Sequence, residues 1–253
     1  MCKTLAQVCA RRMAHLSPAQ PTISFCFDDF PRSAWLAGGE ILRHYGAAGT
    51  YYASLGLMNR TAATGGIFTA QDLEQLLAAG HEIGCHTFEH SNSWKTTARE
   101  FAASIERNQA ALEMLFPGVR MRSFSYPYTV PAPLNKAIAG AQFACCRDHG
   151  QRNNVGNVDL NLLNSHFLEM KLGGPDAALR AIAENHQQCG WLIFSTHDLS
   201  AQPTQWGWTP EWFEQVVRRA AESGARLLSV GNALEMILAE SARHSATHVS
   251  LSE

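Results

Sequence analysis

The sequence lacks an apolar run long enough to cross a membrane, and it has little charge of either sign. Only 17% of its 253 residues are charged, and the formal net charge is -2. This balance provides no basic surface for nucleic acid or for an anionic membrane, so neither is expected as a partner. The N-terminal segment contains Arg11 and Arg12 but no apolar core of signal-peptide length, which predicts a cytoplasmic protein.

Cysteine pairs of the zinc-binding type are missing as well. The chain has seven cysteines but no Cys-x-x-Cys pair, which argues against a cysteine zinc site. Five of the seven lie in or beside apolar runs, which predicts reduced, buried thiols. They are Cys26, Cys85, Cys145, Cys146 and Cys189.

What the sequence does contain is a repeated alternation of short apolar runs with longer amphipathic stretches. Strands are predicted at 22–27, 50–53, 82–85, 122–126, 143–146, 163–167, 191–196 and 226–230. Helices are predicted at 34–45, 71–79, 97–116, 176–188, 209–224 and 231–243. The alternation indicates an α/β protein, and seven or eight parallel strands in this length favour a (β/α) barrel. We expect a single domain over 1–253, with a polar, frayed tail at 244–253.

Titratable groups recur directly after the predicted strands. Asp28 and Asp29 follow the first, His86 follows the third, and Arg147 and His197 follow later ones. Pro127 and Tyr128 come after the fourth strand in the same way. Active sites of (β/α) barrels lie at the carboxyl ends of the strands, so the pattern predicts a site at this end.

The segment HTFEH places His86 and His90 four residues apart, a spacing that lets both imidazoles reach one metal ion. A pair of this kind also arises by chance among eleven histidines, and an isolated pair is as often structural. His81 and Glu82 begin like a zincin motif, but Cys85 stands where the second histidine is required. His81 is therefore expected to face away, at a junction between helix and strand.

The adjacent carboxylates of Asp28 and Asp29 fit a metal site with two histidines. One carboxylate supplies a third ligand, the cation offsets the repulsion between the two charges, and the other carboxylate takes a proton from water. The alternative is that the pair caps the following helix or makes a turn. His197 ends a strongly apolar strand, where it is able to act as a general acid or simply to form a loop hydrogen bond.

Together these segments resemble the polysaccharide deacetylase family, also called the NodB homology domain. The matching motifs are FCFDD, HTFEH, FSYPY and LIFSTH, in the family order, between about 22 and 197. The resemblance implies a distorted (β/α) barrel that hydrolyses the acetyl groups of acetylated sugars or oligosaccharides. It also implies a divalent metal cofactor, zinc first, with Co²⁺, Ni²⁺ or Mn²⁺ as other choices.

The resemblance also assigns roles to residues. Asp28 becomes the general base and His197 the general acid. Asp29, His86 and His90 become the metal ligands. The backbone N–H of Tyr128, which follows Pro127, becomes an oxyanion donor.

Two departures from the family pattern affect the expected site. Phe30 follows the Asp pair where the family often has Gly, so the mouth is expected to be narrower or differently shaped. Ser125 stands where many members carry an Arg that steadies the base, and Arg147 is a candidate replacement, a substrate contact or a surface ion pair. Asp159 is a weak candidate for the group that tunes the acid.

Three tryptophans near the motif loops, Trp94, Trp206 and Trp208, are candidates for stacking on a sugar ring or for ordinary packing. Two other functions remain open. One is an amidase for a small amide that is not a sugar, and the other is a scaffold or sugar-binding protein without catalysis. Oligomeric state is not indicated by the sequence.

Overall fold

The predicted parallel strands form one curled sheet in the computed structural model, which describes residues 2–128 and 130–250. The strands in chain order are β1 (Met13–Leu16), β2 (Thr22–Phe27), β3 (Thr50–Ala53), β4 (Thr61–Ala62), β5 (Gly65–Gly66), β6 (Glu82–Cys85), β7 (Ser123–Ser125), β8 (Cys145–Arg147), β9 (Gly156–Asp159), β10 (His166–Phe167), β11 (Trp191–Thr196) and β12 (Arg226–Leu227). The helices are α1 (Cys2–Val8), α2 (Glu40–His44), α3 (Ala70–Ala78), α4 (Ala98–Leu115), α5 (Pro133–Gln142), α6 (Asp176–Gln188), α7 (Pro210–Glu222) and α8 (Val230–Ser250).

The main sheet is parallel throughout and runs in the order β10-β11-β2-β3-β6-β7-β8. β12 is its eighth strand and pairs with the first two residues of β2. Leu163 bridges to Arg147 of β8, and the chain then continues into β10 at the opposite edge. This curled, nearly closed sheet with helices outside confirms the expected distorted (β/α) barrel.

The long apolar runs were predicted with their observed bounds. β2, β3, β6 and β11 begin and end at the predicted residues, and every residue of these four strands is buried. The capping box at the start of α4 is also present, because Thr97 and Glu100 bond to each other's backbone N–H groups. Because both faces of these strands are buried, they appear in the sequence as continuous apolar runs.

The weakly patterned elements were missed. The antiparallel ribbon of β1 and β9, the small hairpin of β4 and β5, and helices α1 and α5 were not predicted. α8 continues past the predicted end at Arg243 to Ser250, and residues 251–253 of the predicted tail lie outside the described residues. Within the part of the chain that the structure describes, no helix is long and apolar enough to span a membrane.

Side chains of the sheet alternate between two environments. On β2, Ile23, Phe25 and Phe27 pack in the large cluster that includes residues of the surrounding helices. Cys26 belongs instead to the smaller cluster with Tyr52, which α8 also joins. Successive residues of a strand point to opposite faces, so this second set defines the barrel interior.

Candidate functional site

The alternation along the strands determines which side chains meet at the carboxyl end of the barrel. Counting in steps of two from the interior positions places Asp28 after β2, His86 after β6, Ser125 on β7, Arg147 on β8 and His197 after β11 toward the interior. Four of these five side chains are buried, and His197 is half-buried. The sheet therefore brings these five polar side chains together at the carboxyl end of the barrel interior.

Asp29, His86 and His90 lie together at this end. One ligand atom from each residue lies within 4.8 Å of the other two. Asp29 Oδ1 is 3.0 Å from His90 Nε2 and 3.4 Å from His86 Nε2. His86 Nδ1 donates to the carbonyl oxygen of Ser125 over 2.8 Å, since a carbonyl oxygen only accepts. With Nδ1 engaged in this bond, Nε2 is the ring nitrogen that would bind a cation when the ring is neutral.

The donor set of this cluster fits a divalent cation. Asp29 Oδ1 is buried, and no hydrogen-bond donor with suitable geometry reaches it among the described residues. Burial raises the pKa of Asp29, but the His86 and His90 imidazoles outweigh burial and hold the pKa well below its usual value. An ionised carboxylate that faces two imidazole nitrogens is a common divalent-metal ligand set, and the hydrogen bond from His86 Nδ1 to the Ser125 carbonyl oxygen fixes the orientation of that ring.

The backbone around this cluster is strained. Asp29, Thr87, His90 and Tyr128 all have left-handed backbone conformations, with φ between 56° and 69°. Residues other than glycine rarely adopt such conformations, and they do so mainly where the surrounding structure imposes them at functional sites. The two adjacent Asp side chains point to different partners as a result of this turn.

Side chains from β7 and β8 hold the carboxylate of Asp28. Ser125 Oγ donates to Asp28 Oδ1 over 3.1 Å, and Arg147 Nη2 forms an ion pair with the same oxygen. Burial raises the pKa of Asp28, but the charges of Arg147, His86 and His197 more than offset burial and lower it below its usual value. Asp28 is therefore an ionised carboxylate held in one orientation.

Arg147 is a buried residue, and the interpretation as a surface ion pair is wrong. Its side chain is 1% exposed, and its guanidinium carbon lies 4.5 Å from the centre of the Tyr52 ring. A cation held between an aromatic face and a carboxylate has little freedom to move. Arg147 on β8 is the basic partner of Asp28, a role that the uncharged side chain of Ser125 on β7 does not fill.

His197 lies beside Asp28, because β11 and β2 are paired. The N–H of Asp28 donates to the carbonyl oxygen of Thr196 over 2.9 Å. His197 Nδ1 contacts the carbonyl oxygen of Trp206 at 3.3 Å, and it is the donor because a carbonyl oxygen only accepts. His197 also lines the pocket, and Nε2 is the ring nitrogen that this bond leaves unused.

These residues open into one pocket of about 440 Å³, which is large enough for a small ligand. The predicted site residues that line it are Asp28, Asp29, His86, His90, Tyr128, His197 and Trp206. Its other walls come from Leu57, Ala62, Ala63, Thr64, Glu89, Tyr126, His149, Phe167, Glu169 and Lys171.

A model of the family described as polysaccharide deacetylase matches residues 15–140, about half of the chain. The chain belongs to the polysaccharide deacetylase family. The matched segment contains Asp28, Asp29, His86, His90 and Tyr128. No curated protein matches the sequence.

Solved structures of deacetylases share this fold at low sequence identity. The peptidoglycan deacetylase PdaC of Bacillus subtilis has a TM-score of 0.62 and 16% identity, over 94% of this chain and 99% of that chain. The Bc1960 peptidoglycan N-acetylglucosamine deacetylase has a TM-score of 0.60 and 14% identity, over 86% and 89%. BA3943 of Bacillus anthracis, a CE4 family pseudoenzyme, has a TM-score of 0.61 and 14% identity, over 87% and 67%. The fold therefore occurs in both active and inactive proteins.

Phe30, the first departure from the deacetylase pattern, does not narrow the mouth as expected. Its side chain is fully buried, and its ring stacks on Phe68 at 4.6 Å and contacts Tyr51 at 4.9 Å. The residue keeps a left-handed conformation, with φ at 48°, which explains why Gly suits this position. Phe30 therefore points into the core and packs the turn after β2 against the segment that contains Phe68.

Asp159 does not tune His197, contrary to the expectation. Its Oδ2 atom lies 2.5 Å from the buried Nζ of Lys136, and its Oδ1 atom accepts from the N–H of Arg12 at 2.9 Å. Lys136 Nζ also donates to the carbonyl oxygens of Ala6 and Cys9. Asp159 thus fastens the N-terminal segment to the barrel.

The three tryptophans separate into different environments. Trp206 lines the pocket. Trp208 is 2% exposed and packs in the core against Trp212, so the stacking role expected for it is wrong because its faces are covered. Trp94 is 39% exposed, lies outside the pocket lining and donates to the carbonyl oxygen of Val130 over 2.6 Å. Pro127 is buried, whereas Tyr128 beside it is 62% exposed.

One wall of the pocket was missed at the sequence level. Glu169 and Lys171, which form an ion pair at 3.1 Å, follow β10, and Phe167 is its last residue. His149 follows β8 and packs its ring against Phe167 at 4.4 Å. The rule that active sites lie at strand ends, applied also to the strand predicted at 163–167, would have identified Glu169 and Lys171.

Proposed function

We propose that the protein is a metal-dependent deacetylase that removes the acetyl group from the nitrogen of an N-acetylated sugar or oligosaccharide. The observation that carries the proposal is one pocket that holds a cluster of cation ligands, an oriented carboxylate and a histidine. The names of two structural neighbours, both peptidoglycan deacetylases, support the same class of substrate.

Asp29, His86 and His90 would hold the ion, with zinc as the first choice and Co²⁺, Ni²⁺ or Mn²⁺ as alternatives. When bound, a divalent ion supplies Lewis-acid polarisation of an acetyl carbonyl and lowers the pKa of a water molecule. His86 is set for this task because its other ring nitrogen is already bonded to the carbonyl oxygen of Ser125.

The protein groups carry the proton transfers. Asp28 accepts a proton from the water whose oxygen adds to the acetyl carbonyl carbon. Arg147 and Ser125 hold Asp28 ionised and correctly oriented for this step. His197 then gives a proton from Nε2 to the sugar nitrogen as the carbon–nitrogen bond breaks, and acetate and the free amine leave.

Two other residues would orient the substrate. The backbone N–H of Tyr128 would donate to the oxygen that develops negative charge, and its left-handed conformation supports a specialised position for that group. Trp206 offers an indole surface to a sugar ring at the edge of the pocket. A volume of about 440 Å³ suits one or two sugar units in the pocket itself.

Acetate release by zinc-loaded protein, measured over N-acetylated mono- and oligosaccharides and small amides, tests this function. Asp28→Asn is expected to bind zinc as the wild type does and to lose about 10²–10⁴-fold in acetate release, because the proton acceptor is removed. Asp176→Asn, at an exposed helix start, is the matched control and should retain full activity.

The same measurements separate the alternatives. Turnover of small amides alone would favour the amidase. A wild-type protein that binds zinc but releases no acetate from any substrate would favour a scaffold, the state that BA3943 illustrates. Wild-type turnover by Asp28→Asn would overturn the assignment of the base.

A further inference from the structure

His197 is followed at once by a carboxylate that the proposed reaction does not use. Asp198 is 4% exposed. Its Oδ2 atom accepts from the N–H of Thr204 over 2.8 Å, and its Oδ1 atom accepts from Thr204 Oγ1 over 2.5 Å. A buried carboxylate that binds both the backbone and the side chain of one residue is fully committed to the shape of the loop between them.

The loop 198–208 is closed tightly around this contact. The N–H of Trp208 donates to the carbonyl oxygen of Asp198 over 3.0 Å. At Gly207, a Cβ atom would lie 2.2 Å from that carbonyl oxygen and 2.4 Å from Asp198 Oδ1, so a larger residue does not fit. Gly207 approaches Asp198 this closely only because glycine has no side chain.

The contact continues from Thr204 to His197 through Trp206. Thr204 Oγ1 accepts from the N–H of Trp206 at 3.4 Å. The carbonyl oxygen of Trp206 then accepts from His197 Nδ1 at 3.3 Å, and Thr196 Oγ1 approaches the same oxygen at 3.5 Å. Thus a chain of contacts leads from the carboxylate of Asp198 back to the ring of the adjacent histidine.

We propose that Asp198 is a positioning residue that fixes the tautomer and direction of His197 through Thr204 and the carbonyl oxygen of Trp206. The inference rests on the proposed role of His197 as the acid. With Nδ1–H donated to a carbonyl oxygen, the proton that His197 gives away leaves from Nε2, the other nitrogen of the ring. The neutral ring that results already has its remaining proton bonded.

This arrangement differs from a carboxylate bonded directly to the histidine. A carbonyl oxygen orients the ring but adds no full negative charge, so it holds the proton donor without strongly stabilising its charged form. The carboxylate of Asp198 instead acts one step away, on the loop. The same loop presents Trp206 to the pocket, so ring and indole are positioned together.

The tautomer of His197 tests the proposal directly. Zinc-loaded, ¹⁵N-labelled protein is examined by NMR above the pH at which His197 titrates, with the His197→Gln variant used to assign its ring nitrogens. The wild type is expected to show Nδ1–H. Asp198→Ala and Thr204→Val should shift the population toward Nε2–H, and the double variant should shift it no further than either single variant, because both act in one chain of contacts.

Ser200→Ala, a change in the same loop outside these bonds, is the matched control and should leave the wild-type tautomer. Asp198→Asn, which keeps one acceptor oxygen for Thr204, should lie between the wild type and Asp198→Ala. If folded Asp198→Ala keeps the wild-type tautomer, or if the wild type itself shows Nε2–H, the proposal is overturned.

Acetate release from an N-acetylglucosamine oligomer separates this proposal from the proposed function. Asp198→Ala should lower kcat about tenfold, because the proton donor is displaced, and should raise KM by a smaller factor, because Trp206 moves with the same loop. A wild type with the expected tautomer but no turnover on any acetylated sugar would contradict the function and leave the positioning result intact. A tenfold rise in KM with kcat unchanged would contradict the positioning role.

Discussion

A histidine and a carboxylate lie at each end of strand β6, but the two ends differ in how fully these groups are hydrogen-bonded. At its amino end, His81 Nδ1 accepts from the N–H of Gly49 over 2.9 Å, and Glu82 is bonded by Thr50, Ser123 and the N–H of Gly231 over 2.8–3.0 Å. At its carboxyl end, His86 faces the oxygen of Asp29 that lacks a hydrogen-bond donor with suitable geometry among the described residues. Both ends are buried, so burial alone does not distinguish them.

The difference lies in how completely the polar groups are satisfied. The donors around Glu82 bind it to β3, β7 and the start of α8, which closes that end of the barrel as structure. Around Asp29, the buried Oδ1 atom faces one ring nitrogen from each of two histidines, on a strained backbone. A buried charge without enough partners is costly, so its presence indicates a ligand that supplies the missing interaction.

The largest expected effect comes from removing a histidine at one end and not at the other. His86→Ala should weaken zinc binding at least about 100-fold and reduce acetate release to background, because one of three ligands is lost. His81→Asn, the matched change at the amino end, should leave zinc affinity within about twofold. Chelator competition against both purified variants measures this, and equal zinc affinity in the two variants would contradict the comparison.

The second-largest expected effect comes from removing the hydrogen-bonded carboxylate at the amino end of β6. Glu82→Leu should lower the free energy of unfolding by about 3–5 kcal/mol, because three buried donors lose their acceptor. Zinc affinity of the folded fraction should not change. Urea denaturation followed by circular dichroism measures the loss, with Glu82→Gln as a milder control. A loss in Glu82→Leu no greater than in an exposed Glu→Leu change would show that these bonds contribute little.

How much of this contrast is readable from the sequence depends on periodicity. The four buried strands were predicted with their bounds because their apolar runs are continuous, and the cluster of Asp29, His86 and His90 was predicted because its members come soon after those runs. Arg147 was left ambiguous, since its partner Asp28 is 119 residues away and only the closed sheet brings them together. Stepping in twos along β2 and β8 would have placed both side chains inside the barrel.

Elements without a strong period were not predicted, for physical reasons. α5 contains Gly140, and its N-cap residue makes no side-chain hydrogen bond, so Pro133 at its first position is one of few signals that mark it. The two-stranded ribbon of β1 and β9 mixes exposed and buried positions in only four residues each. Trp208 was misread because a loop position gives no indication of which aromatic faces are covered.

A smaller effect concerns the pH dependence of stability at the amino end. Burial lowers the pKa of His81 from 6.5 to about 4, so the folded protein keeps the ring neutral while the unfolded chain binds a proton below pH 6.5. Stability from this residue is complete above pH 6.5 and is lost as the pH falls toward 4. Between pH 7 and pH 5 the wild type should lose about 2 kcal/mol more than His81→Asn, measured by urea denaturation. Parallel pH profiles for the two proteins would contradict the assignment.

The smallest expected effect comes from two serines of β7 that point into the same interior. Ser123 donates to Glu82 over 2.8 Å at the closed end, and Ser125 donates to Asp28 over 3.1 Å at the pocket. Ser125→Ala should lower acetate release roughly fivefold, equivalent to about 1 kcal/mol, because Asp28 keeps Arg147 but loses one of its two orienting contacts. Ser123→Ala should cost about 1 kcal/mol of unfolding free energy and leave turnover unchanged. Kinetics and denaturation of both variants decide the matter: two serines that affect stability alike and turnover alike would mean that the ends of the barrel do not differ in the way their hydrogen bonds indicate.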